Sequence, residues 1–406
     1  MTEVFHKQLV SLSKHCELLT GYPFKSSHFS HSLQDIPLVK GENLGHREID
    51  WIKAVRWPAS EAKDFEKFEL NPGDIVLAMD RPIVQGRLKF SWIRNYEPLA
   101  LLVQRVARLR GCNGLTTDFL RYLIASPAFQ SHVEKITTGV NIPHISGKDI
   151  LSFSFALPPC ETQKRIAEIL SNYDNLIDNN NRRIALLEES IHLLYKDWFV
   201  RLRFPGYESV KVVDGVPEGW KKKTLQDIVS PIRQSIHPSN IEANTPYVGL
   251  EHIPRQSIAL TNWGYSHQVN SNKFIFIKND ILFGKIRPYF HKVVFAPING
   301  ICSSDAIVIR PLSKDFFGLA LALVSSISFV DYTSKTSKEG SKMPRANWDV
   351  MEQYPALIPN SKLLEDFNNL VSLATNQITN LIFMNQRLIQ ARDLLLPRLM
   401  NGTITV

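Results

Sequence analysis

At 406 residues, 44% of them hydrophobic and 10% aromatic, the chain is too long for one ordinary domain and apolar enough to build packed cores, so two or more globular units are expected. Its 47 Lys and Arg against 39 Asp and Glu leave a net charge of +8, and the excess is regional: residues 1–156 carry 19 basic and 16 acidic side chains, and residues 216–355 carry 16 and 11. A surplus this modest does not by itself designate an acidic partner, and the four scattered cysteines, Cys16, Cys112, Cys160 and Cys302, form no CxxC or Cys/His spacing, which argues against a disulfide framework or a zinc site and fits a reducing cytoplasm.

The N-terminus, MTEVFHKQLV, has no basic start followed by an apolar core, so no secretion signal is expected. The first element with polar chemistry is the loop Tyr22-Pro23-Phe24-Lys25-Ser26-Ser27-His28, in which Lys25 is a candidate donor. Pro37-Leu38-Val39, with Glu42 and Leu44, opens a pattern that returns as Pro246-Tyr247-Val248 with Glu251 and Ile253, 209 residues on. Asn71-Pro72-Gly73-Asp74 reads as a turn feeding the strand Ile75-Val76-Leu77, and Asn279-Asp280 feeds Ile281-Leu282-Phe283 in the same way. After the first strand come Met79-Asp80-Arg81-Pro82, Arg87 and Lys89, and after the second comes Gly284-Lys285-Ile286-Arg287-Pro288-Tyr289.

Asp118-Phe119-Leu120 and Asp315-Phe316-Phe317 each open a helical stretch. The second includes the most apolar run of the chain, Phe316 to Val330, which is too short for a membrane span, is interrupted by Ser325, Ser326 and Ser328, and is expected to be a buried helix. A glycine loop follows in each half: Thr138-Gly139-Val140-Asn141-Ile142-Pro143-His144-Ile145, then Glu339-Gly340-Ser341-Lys342-Met343-Pro344-Arg345-Ala346. Short strands ending at Leu157-Pro158-Pro159 and Leu357-Ile358-Pro359 close the two halves, 200 residues apart.

A long helical segment follows each of these prolines. In the first, Ile166, Tyr173, Asn180, Leu187 and Leu194 form one seven-residue row, and Leu170, Ile177, Ile184, Ile191 and Trp198 form a second, the a and d pattern of a coiled coil. In the last segment Phe367, Ala374, Leu381, Leu388 and Leu395 recur every seven residues, while the second row is less regular. A single apolar seam must be buried, so the two segments are expected to pair with each other; the alternative is two surface helices, each docked on its own domain. The first segment, roughly 40 residues without internal Pro or Gly, would run about 60 Å, longer than a small domain is wide, which favours the pair. Asn180 either fixes the register of the seam or lies where it opens to solvent. Phe204-Pro205-Gly206-Tyr207 and Asp214-Gly215-Val216-Pro217 read as the link into the second half, with the boundary near residue 215.

No phosphate loop, HExxH or paired Cys/His motif is present. Asn71-Pro72-Gly73-Asp74 departs from the Asn-Pro-Pro-aromatic signature of amino-methyltransferases in its last two positions and is better read as a β-turn. A metal-dependent nuclease built on Asp280 with Lys285, or on Asp74 with Asp80, is the enzymatic alternative, although 39 acids produce such pairings by accident. DNA recognition needs Arg and Lys for phosphates and guanine edges, Asn and Gln for adenine, and aromatic groups for apolar contact. The repeated loops supply these: Arg81, Arg87, Lys89, Asn141, His144 and Lys148 in the first half, and Lys285, Arg287, Tyr289, Lys335, Lys338, Lys342, Arg345 and Asn347 in the second.

Val216-Pro217-Glu218-Gly219-Trp220 followed by Lys223-Thr224-Leu225-Gln226-Asp227-Ile228, and Leu157-Pro158-Pro159 leading through Glu161 and Gln163-Lys164-Arg165-Ile166-Ala167 into the heptads, resemble the specificity subunits of type I restriction-modification systems over nearly the whole chain. The first half lacks the Pro-Glu-Gly-Trp start, and the last helix opens with Asn360-Ser361 in place of Cys160-Glu161-Thr162-Gln163. The resemblance implies an α+β chain with an internal pseudo-twofold repeat. Its two target-recognition domains, residues 1–159 and 216–359, are separated by antiparallel spacer helices, residues 160–203 and 360–402, with a linker at 204–215. It also implies a non-catalytic, cytoplasmic subunit that reads a bipartite site on double-stranded DNA. Two methyltransferase subunits, which hold S-adenosylmethionine, and a motor-nuclease subunit are the implied partners; this chain itself takes no cofactor. The alternatives are a stand-alone DNA-modifying or DNA-cleaving enzyme and a coiled-coil protein scaffold.

Overall fold

The computed structural model describes residues 9–138, 143–337 and 343–406. The chain divides into two compact units, Met1–Asn175 with Leu388–Val406, and Leu176–Arg387.

In the first unit an antiparallel sheet runs in the order Cys16–Thr20, Val106–Gly111, Ile75–Ala78, Phe90–Trp92. The strand Ile75–Ala78 is buried on both faces, as its unbroken apolar run requires. Its alternation divides the interior: Ile75 and Leu77 join a core with the helices Thr117–Ile124 and Pro127–Ile136, while Val76 and Ala78 face a second core with Val39, Leu70 and Leu102. That second core belongs to a sheet in the order Arg56–Trp57, Ile36–Val39, Ala100–Leu102, Glu69–Leu70, whose two central strands are parallel.

The second unit repeats this plan. Val229–Ile232, Ala306–Pro311, Ile281–Gly284 and Val293–Phe295 form the antiparallel sheet, and Pro246–Val248 and Gly300–Cys302 supply the parallel pair of the other. Ile281 and Phe283 again face the helices, while Leu282 faces the second sheet. The repeat reaches single hydrogen bonds: Ser126 caps Pro127–Ile136 by accepting from the Phe129 amide at 3.2 Å, and Ser326 caps Ile327–Lys335 by accepting from the Phe329 amide at 3.2 Å.

The apolar run from Phe316 departs from the single helix expected. Phe317–Val324 is wholly buried, but Ser325 turns its hydroxyl onto the Leu321 carbonyl, Ser326 caps a new helix, and the axis bends by 66°. Among the described residues, no single helix is long and apolar enough to cross a membrane.

In each unit an N-terminal strand pairs with the strand that precedes a long helix: Leu9–Ser11 with Ser154–Ala156, and Lys221–Thr224 with Pro355–Ile358. The long helices are Cys160–Tyr195, continued by a π-helical turn Lys196–Val200, and Ser361–Met400, which contains Pro397 in its last turns. Within the second unit Asn180 meets Asn385 and Trp198 meets Phe367, so the two helices run antiparallel there. In the first unit Ile166 and Leu170 share a core with Leu396 and Leu399.

The row Leu170, Ile177, Ile184, Ile191 and Trp198 is buried throughout. Its companion is mixed, since Ile166 and Asn180 are buried while Tyr173, Leu187 and Leu194 are half-buried. On the last helix Phe367, Ala374 and Leu381 are buried, whereas Leu388 and Leu395 are half-buried. The second row there is regular after all: Leu364, Val371, Ile378, Asn385, Arg392 and Leu399, all buried. Two polar members hide it from an apolar count. Phe204, in the expected linker, is buried against Trp220 at a ring separation of 4.8 Å, and Val212–Val213 pairs with Val216–Pro217 as a hairpin.

Candidate nucleic-acid interface

Segments far apart in sequence converge at the end of the central strand in each unit. In the first, the Met79 amide donates to the Arg105 carbonyl at 2.8 Å, Ile145 to Met79 at 2.9 Å, and Arg81 to Pro143 at 2.7 Å. In the second, Lys285 donates to Asp305 at 2.7 Å, Ala346 to Lys285 at 2.8 Å, and Arg287 to Pro344 at 2.8 Å. The backbone frame is the same, down to the left-handed φ of +46° at Arg81 and +50° at Arg287. A non-glycine residue in that region is held by its surroundings, here by the amide bond to the proline carbonyl.

The side chains on this common frame differ. In the first unit Asp80 binds His144 Nδ1 at 2.7 Å and lies 3.7 Å from Arg105. In the second Ile286 replaces Asp80, and the acid stands instead at Asp305, where it pairs with Arg345 at 3.2 Å. Arg105 is not singled out by the sequence because its short turn, Gln104-Arg105, carries no Gly or Pro to mark a loop; only its correspondence to Asp305, 200 residues on, marks it.

Arg87 stands exposed beside the tight turn Gln85-Gly86, whose residues have φ of +51° and +72°. Lys89 is half-buried, and its ammonium donates to the Gly41 carbonyl. Burial, and then Arg81, hold its pKa below the ordinary lysine value. Lys292 repeats the arrangement, donating to the Leu250 carbonyl, with burial the main cause of its lowered pKa. Both lysines brace backbone, which leaves Lys89 poorly placed as a phosphate donor.

Arg287 reaches over the Phe290 ring at 5.8 Å, Arg255 covers the same ring at 3.8 Å, and the half-exposed Tyr289 meets it edge-on at 4.9 Å. Lys285 lies half-buried beside them, while Arg345 and Asn347 are exposed, Asn347 as the cap of Trp348–Met351. Lys25 is exposed on a separate loop, anchored where Phe24 packs on Trp57 at 4.8 Å. Asn141, Lys338 and Lys342 lie outside the described residues.

The acids considered for a nuclease are otherwise engaged. Asp74 accepts two bonds from Arg110, one at 2.8 Å, and Asp280 accepts two from Arg310 at 2.7 Å, with the aspartates 4% and 1% exposed. Each also accepts the amide three residues before it, Asn71 or Ile277, at 2.8 Å. These are matched structural braces for the turn before the central strand. Among the described residues, no group of three His, Cys, Asp or Glu side chains is placed to hold a metal ion.

The seam also carries polar groups. Asn180 donates to Asn385 at 2.8 Å, and Asn385 donates to Asn181 at 2.8 Å, so Asn180 lies within the seam rather than where it opens to solvent. In the first unit the buried Asp174 accepts from Arg392 at 2.6 Å, Tyr122 at 2.8 Å and Arg47 at 3.3 Å. In the second, one oxygen of Glu188 accepts from Ser257 Oγ at 2.6 Å and from the Ile258 and Ala259 amides at 2.8 Å. Away from the seam, Leu186, Leu193 and Val200 are exposed at intervals of seven, and Leu370, Leu373 and Met384 are exposed on the other helix.

The type I restriction modification DNA specificity domain matches this chain twice, at residues 35–189 and 217–382. The MjaVIII type I restriction enzyme specificity subunit of Methanocaldococcus jannaschii is 30% identical over 184 residues, 45% of this chain and 43% of that protein. The MjaIX specificity subunit of the same organism is 23% identical over 92% of this chain and 87% of its own length. The type I restriction-modification S subunit of M. genitalium shares the fold, with a TM-score of 0.54 at 14% identity and 98% coverage of both chains. With two copies of the domain spanning most of its length, this chain belongs to the family of type I restriction-modification DNA specificity subunits.

Proposed function

We propose that each unit reads one half of a bipartite site on double-stranded DNA, and that the chain is non-catalytic and delivers that recognition to methyltransferase and motor-nuclease partners. One observation carries this reading: the same backbone frame is assembled twice from corresponding positions and furnished with different polar groups, Asp80, His144 and Arg105 in one, Arg345, Asp305 and Lys285 in the other. A duplicated scaffold with exchanged donors and acceptors is what two different half-sites require. The target-recognition domains are assigned to residues 1–159 and 216–359, with the helices at 160–203 and 360–402 as spacer and the linker at 204–215. The exposed apolar rows of the helices suit docking of partner helices.

Arg287 is the proposed base reader and Lys285 the phosphate contact. Replacing Arg287 with Ala should cost roughly 1–3 kcal/mol and relax one position in one block of the methylated motif, leaving the other block intact. Lys285→Ala should weaken binding evenly across sequences and lower the salt slope by about one. If both substitutions leave motif and affinity unchanged, the loop assignment is wrong.

A further inference from the structure

The two backbone frames differ in the length of one segment. The arginine whose amide meets a proline carbonyl, Arg81 or Arg287, and the lysine that braces a backbone carbonyl, Lys89 or Lys292, mark its corresponding ends. Seven residues, 82–88, lie between them in the first unit and four, 288–291, in the second. The shorter segment makes the single turn Pro288–Phe290, whereas the longer one makes a hairpin of Ile83–Val84 and Arg87–Leu88. The Lys89 amide closes the base of this hairpin on the Pro82 carbonyl at 2.7 Å. Gln130, from the helix Pro127–Ile136, holds its tip by donating to the Gly86 carbonyl at 3.0 Å.

Ile83 and Leu88 pair across the hairpin and pack on the core, so the next pair, Val84 and Arg87, faces outward, with Val84 46% exposed and Arg87 exposed. Between them Gln85 and Gly86 hold φ of +51° and +72°, the left-handed pair that joins two strands tightly. Glycine, asparagine or aspartate takes the first of these positions at little cost, and glutamine does not. A strained tip residue with an exposed hydrogen-bonding side chain points to use of that side chain. A two-stranded ribbon fits the major groove of DNA, about 12 Å wide, and not the minor, about 6 Å. There glutamine matches adenine N6 and N7, and arginine matches guanine O6 and N7. We infer that the hairpin tip enters the major groove and that Gln85 and Arg87 read purine edges in the first unit's half-site. The inference rests on the DNA-reading function proposed above. It adds Gln85, the groove and a reading device that the second unit lacks.

The test expresses the full chain with its neighbouring methyltransferase, reads the motif by methylation-sensitive sequencing, and follows duplex binding of the purified complex by anisotropy. Gln85→Gly suits the left-handed turn and should leave the melting temperature undiminished. Gln85→Gly and Arg87→Ala should each relax a purine position in one block, the block that Arg287→Ala leaves intact. A cognate duplex with a 7-deazapurine at that position should bind the wild type about tenfold more weakly, and the variant no more weakly than the natural duplex does. Should Arg87→Ala not fold, Gln85→Gly decides alone. A wild-type split motif that both variants leave unchanged would overturn the assignment, as would relaxation in the block that Arg287→Ala alters. A wild type indifferent to the 7-deazapurine would place the contact outside the major groove and overturn it equally. Equal losses on cognate and unrelated duplexes with the motif intact would make these residues phosphate contacts, which also refutes it. A wild-type complex that methylates nothing would instead bring down the DNA-reading function itself.

Discussion

Asp280 is 1% exposed, and Arg310 grips both its oxygens across the sheet. Removing the arginine strands the carboxylate, so Arg310→Ala should cost about 3–5 kcal/mol in urea unfolding; a loss under about 1 kcal/mol would show that water reaches Asp280. The turn holding Asp280 is legible in sequence, but its partner 30 residues away is not, because strand register and not local pattern brings them together. Glu188 gives a pH signature. Burial holds its carboxyl above the ordinary glutamate value, against three donors that pull it down. The folded state therefore binds that proton more tightly than the unfolded chain, and stability falls as pH rises from the ordinary glutamate value through the raised one. Glu188→Gln, which keeps an oxygen for the three donors, should flatten this stretch of the stability profile; an unchanged slope would mean that Glu188 is not its source.

The paired helices show where apolar periodicity suffices and where it fails. The row from Leu170 to Trp198 can be read directly, because every member is apolar and every member is buried. The row from Leu364 to Leu399 cannot, because Asn385 and Arg392 interrupt it, and each makes sense only opposite a polar residue of the other helix. Asn385→Leu alone should cost roughly 1–3 kcal/mol by leaving the Asn180 amide buried and unpaired, while Asn180→Leu with Asn385→Leu should recover most of that loss. Thermal and urea melts of the three proteins check it, and a double variant no better than the single would contradict the pairing.

Across the whole molecule the duplication was the readable feature, since corresponding turns, caps and strands recur about 200 residues apart. What each copy contacts was less readable. The candidate loops came from basic and aromatic composition, which could not separate Lys89, tied to a backbone carbonyl, from Lys285, and passed over Arg105. If the helices act as spacer, deleting one heptad from each should change or abolish the separation of the two blocks, and an unaltered separation would refute that role. The most direct test of the central claim is methylation-sensitive sequencing of a methylation-free host expressing this chain with its neighbouring methyltransferase, compared with each alone. A split motif that appears only when both are present is the predicted result; a soluble complex that leaves the genome unmethylated would contradict it.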